Sequence, residues 1–161
     1  MSRVLSFRNR QRTRALALPL LRRLTRYVLE EEFGVKAYEL GFHFVEPDEM
    51  ARVNQQFLQH EGSTDVITFD HADAGAPGLH GEIFISVADA VQQAREFDTT
   101  WQEEVARYII HSLLHLRGHD DLEPAKRRVM KREENRLLKE ICRRFPPSRL
   151  TRSRRKDSRR R

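Results

Sequence analysis

The chain is poor in cysteine, holding Cys142 alone among 161 residues. No intrachain disulfide framework can form, so the fold must rest on an apolar core, and a reducing cytoplasm suits such a chain. Long hydrophobic runs are also missing. None reaches the roughly 20 residues that a membrane helix needs, so no membrane partner is expected. The apolar stretch at 15–21 is short, contains Pro19 and runs into Arg22 and Arg23. It reads as part of an amphipathic helix and not as a targeting leader. Acidic residues are absent from the first 29 positions, which carry eight arginines. Residues 149–161 hold eight basic side chains against Asp157, a net +7. With +6 for the whole chain, the middle must carry −9. An acidic body with two basic ends suggests arms for a polyanion, most plausibly nucleic acid. In the C-terminal arm, Arg152, Arg154, Arg155 and Lys156 are the expected RNA contacts. A single domain over 1–148 and a basic, disordered tail over 149–161 are the expected organisation.

What is present reads as an alternation of helices and strands. Leu20, Leu21, Leu24, Val28 and Leu29 share a helical face, with Pro19 in the first turn and Gly34 at the stop. Tyr38, Leu40, Phe42 and Phe44 alternate as in a strand. Met50, Val53 and Phe57 form a helical stripe with Asp48 as its expected cap. "TDVITFD" and "EIFIS" read as strands on either side of a glycine-rich loop. Ser86 with Asp89, and Thr100 with Glu103, have the spacing of capping boxes. The second opens a helix that is apolar on most of its circumference and so belongs at the centre of the domain. Pro124 begins a last helix with Val129, Met130, Leu137, Leu138 and Ile141 directed inward. The order predicts an α/β (α+β) domain: a small mixed sheet packed on helices around that central helix.

The stretch "HSLLHLRGHDD", residues 111–121, carries the chemistry. His111 and His115 leave one face of an apolar helix and can reach a single ion. Gly118 lets the chain reverse, so a residue beyond it can fold back. The pattern H-x-x-x-H-x-x-G-x-x-D makes a three-point site with room for water, and it suits one Zn2+ held by His111, His115 and Asp121. His119 still completes the helix end, so it is less well placed than Asp121. The competing reading gives Asp121 a capping role and Asp120 the task of orienting a histidine. A metalloprotease would need a glutamate directly after the first histidine, and Ser112 stands there.

These segments resemble the YbeY family of bacterial endoribonucleases and ribosomal RNA maturation factors. The family hallmark H-G-x-L-H-L-x-G-Y-D-H is met at His111, Leu114, His115, Leu116, Gly118 and Asp120. A second block, Y-R-x-K-D-x-P-T-D-V-L-S-F, resembles "FLQHEGSTDVITF", with Thr64, Asp65, Val66 and Phe69 in agreement. "GEIFIS" is similar to the family's G-D-I-x-I, and the blocks keep their order across residues 40–138. The resemblance implies a metal-dependent, single-strand-specific endoribonuclease that matures the 3′ end of 16S ribosomal RNA. Its partners would be ribosomal RNA and the small ribosomal subunit. It places Thr64, Asp65 and His60 near the metal and Asp121 at the last ligand position, where the family has histidine. The chain departs again at Leu58, where the family has a functional arginine. A non-catalytic, metal-binding assembly factor is the alternative reading.

Overall fold

The computed structural model describes residues 2–58 and 65–151. Strand β1 (Arg3–Arg10) leads to helix α1 (Leu18–Tyr27), which continues into a π-helical turn over Val28–Glu32. Strand β2 (Tyr38–Val45), helix α2 (Pro47–Leu58), strand β3 (Val66–Asp70) and strand β4 (Leu79–Ser86) follow. Helices α3 (Val87–Phe97), α4 (Trp101–Leu116) and α5 (Pro124–Arg144) complete the domain, with a final 3₁₀ turn at Pro147–Leu150. The sheet order is β1-β2-β4-β3. β1, β2 and β4 run parallel, and β3 pairs antiparallel on the outer side of β4. The expected small mixed sheet around a central helix is what forms.

The pattern of β2 explains the layers. Tyr38, Leu40, Phe42 and Phe44 face the helices and are buried with Leu5, Ile83 and Ile85. The other face of β2 is not fully wet, because α2 lays Met50 and Val53 over Val45 and Ile67 in a smaller core. Helix α4 is the most buried helix, with Val105, Ile109, Ile110, Leu113 and Leu114 at 1% exposure or less. Its start is capped by Thr100, whose Oγ1 accepts from Glu103 N at 3.2 Å, and Ser86 caps α3 in the same way through Asp89 N. Gly81 on β4 has a packing reason: a Cβ there would lie 2.4 Å from the carbonyl oxygen of Phe69.

Four expectations need correction. The N-terminal arginines do not form an arm. They belong to an edge strand, to α1 and, for Arg12 and Arg14, to the connection between them, and several are fixed within the fold. Arg3 donates to Glu30 Oε1 and Lys36 O, both at 2.9 Å, and Arg10 donates to Glu49 at 2.7 Å. Arg22 donates to Leu5 O at 2.6 Å and lies over the Phe7 ring. Charges on an edge strand discourage further strand addition, which is a structural use for them. The domain does not end at 148, because Leu150 is buried and Thr151 pairs with Leu16. Asp48 does not cap α2. It lies inside the first turn, while Glu46 O accepts from Met50 N at 3.0 Å. Val129 does not point into the core and is 52% exposed. Met130 takes the inward position beside it.

Candidate metal centre

The apolar face of α4 fixes its rotation against the sheet and so aims His111 and His115 out of one side. Their rings meet edge to face with centroids 4.7 Å apart. Gly118, at φ 97°, reverses the chain at the end of the helix, as its position in the motif predicted. His119 N closes that reversal on Leu114 O at 3.0 Å. Asp120 Oδ1 then accepts from Leu122 N at 2.8 Å, and Arg127 Nε donates to Asp121 O at 2.9 Å. This small network holds the returning loop. Asp121 Oδ2 comes within 3.8 Å of His111 Nε2 and 3.6 Å of His115 Nε2.

Among the described residues, His111, His115 and Asp121 are the one group of three whose donor atoms suit a metal, all lying within 4.8 Å of one another. The groups behind them also suit a metal. His111 Nδ1 donates to Glu134 Oε1 at 2.8 Å. Glu134 is buried on α5, and its other oxygen accepts from Arg107 Nη1 at 3.0 Å and Lys131 Nζ at 2.9 Å. Burial pushes this carboxyl up, but the hydrogen bonds from His111 and Lys131 outweigh it and hold the group at about 2. An acceptor on Nδ1 directs Nε2 of His111 toward Asp121. A carboxylate behind a ligating histidine fixes both its tautomer and its ring plane. Two imidazole nitrogens and one carboxylate form a donor set that fits zinc.

Asp65 and Thr68 line a cleft together with His111, His115 and Asp121. Asp65 thus lies at the same cleft as the three candidate ligands. His119 is outside the donor cluster. Thr64 and His60 lie outside the described residues, as do Arg152, Arg154, Arg155 and Lys156. Ser112 is fully buried and its Oγ donates to Ile109 O at 2.7 Å, so it offers no base to the site. Glu134 was missed in the sequence. Its signal is an acid within the buried stripe formed by Met130, Leu137, Leu138 and Ile141.

A family model described as Endoribonuclease YbeY matches residues 6–142. The chain belongs to the YbeY family. Relatives bearing the name Endoribonuclease YbeY include one from Salinibacter ruber, 32% identical, over 85% of this chain and 91% of the relative. Another, from Parabacteroides distasonis, is 38% identical over 70% of this chain and 80% of its own. The solution structure of a Thermotoga maritima protein superposes with a TM-score of 0.64 at 26% identity, covering 90% of this chain and 95% of that one. The fold is therefore shared with that structure. No helix among the described residues is long and apolar enough to cross a membrane.

Proposed function

We propose that the protein is a zinc-dependent endoribonuclease that cuts single-stranded RNA, with the 3′ end of 16S ribosomal RNA in the small ribosomal subunit as its substrate and the cytoplasm as its location. The observation that carries the reading is the oriented pair of imidazoles, with Glu134 behind His111 and Asp121 in front. His111, His115 and Asp121 would hold the ion. When bound, it supplies Lewis acidity toward a phosphoryl oxygen and lowers the pKa of water. The chain's own groups bind and orient the strand. Asp65, which lines the same cleft, would take a proton from an attacking nucleophile. Arg152, Arg154, Arg155 and Lys156 would hold the RNA backbone without reading its sequence.

The test has two parts. Protein purified without chelator should carry one zinc per chain by elemental analysis. The metal-loaded protein should cleave single-stranded RNA, and the double variant His111→Ala/His115→Ala should do so no better than background. If the metal is present and wild type matches the double variant, the catalytic reading is wrong.

One observation favours a second reading. Leu58 stands where the family has a functional arginine, and an apolar side chain cannot replace a guanidinium fork on a phosphodiester. A metal-binding assembly factor without nuclease activity would tolerate that change. Cleavage appearing only in Leu58→Arg would favour it. The peptidase reading has no such support, since Ser112 is buried and occupied.

A further inference from the structure

Beside the metal centre lies a second, larger cleft of about 540 Å³, which shares His111 and Asp121 with it. Three features of this cleft are not used by the chemistry above. Tyr108 is 5% exposed and lines the cleft, yet its hydroxyl has no hydrogen-bond partner among the described residues. A buried hydroxyl without a partner costs stability, and an acceptor brought by a ligand in this cleft would offset that cost. Burial and the negative charge of Asp65 and Glu104 push this phenol above its ordinary range, so it is a donor. Phe97, at the end of α3, lines the same cleft and is 65% exposed. An aromatic face at a cleft mouth is the form that base stacking takes in single-strand binding.

The third feature is charge. Arg107, Arg127 and Lys131 line the cleft. Arg107 is committed to Glu134 and Asn135. Arg127 spends Nε on Asp121 O, and both its Nη groups lack a partner among the described residues. Lys131 gives one of its three N–H bonds to Glu134. Against these stand Asp65, Glu104, Asp121 and Glu134. The formal charge of the lining is therefore −1 without a divalent ion and +1 with one, so a loaded metal centre would favour an anion in the cleft.

We propose that this cleft binds one nucleotide of the RNA strand, next to the phosphodiester at the metal centre. The base lies on Phe97, the phosphate reaches Arg127 and Lys131, and Tyr108 donates to a ribose or base acceptor. The inference rests on the nuclease reading for its substrate. It also supplies, from α5, the positive charge that position 58 lacks.

The test uses the full-length, zinc-loaded protein and adenosine 5′-monophosphate, a ligand that an endonuclease cannot cut. Binding is followed by calorimetry or NMR titration. Phe97→Ala should weaken binding about tenfold. Arg127→Gln and Lys131→Gln should each weaken it by about three- to tenfold. With adenosine in place of the monophosphate, those two variants should match wild type, while Phe97→Ala should still bind less. Tyr108→Phe is the most telling variant. It should raise thermal stability, because an unpaired hydroxyl is removed, and lower affinity by about fivefold. Zinc content should be unchanged in Phe97→Ala and Tyr108→Phe. The two charge variants are compared at measured full zinc loading, because Arg127 and Lys131 also support the loop and Glu134 behind the metal ligands. Chelation should weaken binding in wild type. Equal affinity in all variants, a Tyr108→Phe effect on stability alone, or no binding by wild type would overturn the proposal. Binding that behaves as described in a protein that does not cleave RNA would instead overturn the nuclease reading and leave the nucleotide site standing.

Discussion

His111 and Glu134 meet at 2.8 Å across the packing of α4 on α5, and through this contact a buried carboxylate fixes the face that His111 turns to Asp121. The two residues are 23 positions apart, on different helices. Glu134 also holds Arg107 and Lys131, so one buried group ties the metal-bearing helix to the wall of the neighbouring cleft.

Glu134→Gln should keep the fold and lose the negative charge behind His111. Zinc affinity should fall on the order of 10- to 100-fold, measured by competition with a chromogenic chelator. An unchanged affinity would mean that Glu134 serves packing only.

Asp121→Ala should empty the metal site, while His119→Ala should leave it full. Asp121→His should retain the ion, because it returns an imidazole to the same point on the loop. Metal analysis of the three purified variants checks this. Loss in His119→Ala with retention in Asp121→Ala would show that His119, two positions earlier, completes the site.

The basic arm is best tested by deleting residues 152–161. A cut at 149 would also remove buried Leu150 and the Leu16–Thr151 bridge. The shorter deletion removes seven basic side chains and one aspartate. Binding to unrelated RNAs should weaken about equally, and the slope of log affinity against log salt should become shallower as fewer counterions are released. An identical slope would show that the arm does not touch RNA.

A separate pH effect is expected on the far face of the sheet. Glu82 accepts from His43 at 3.0 Å and His71 at 3.4 Å. Burial pushes its carboxyl up, but these two bonds prevail and hold it below its ordinary 4.5. A depressed carboxylate stabilises the fold fully above its unfolded value, and that contribution is lost as pH falls through the folded one. Glu82→Gln should therefore cost under about 1 kcal/mol at pH 7, since the group is half-exposed, and nothing near pH 2. Thermal unfolding of both proteins at the two pH values measures the difference. A gap that persists in acid would assign the effect to packing.

The sequence alone determined the features set within a turn or two of chain. The capping of α3 by Ser86 and of α4 by Thr100, the reversal at Gly118 and the shared face of His111 and His115 follow from local spacing and backbone preference. The alternation of β2 also named the core face of the sheet. Tertiary structure decided what spacing cannot encode. Whether Arg3–Arg10 is an arm or an edge strand depended on β2 offering Leu40 and Phe42 for Leu5 and Phe7 to pack beside. Whether Glu134 is a surface acid or the orienting group behind His111 depended on how α5 rotates against α4. The same packing left the Tyr108 hydroxyl without a partner among the described residues, inside a cleft that adjoins the metal centre. Such contacts join residues far apart in the chain, and side-chain burial selects them, which no local period of the sequence records.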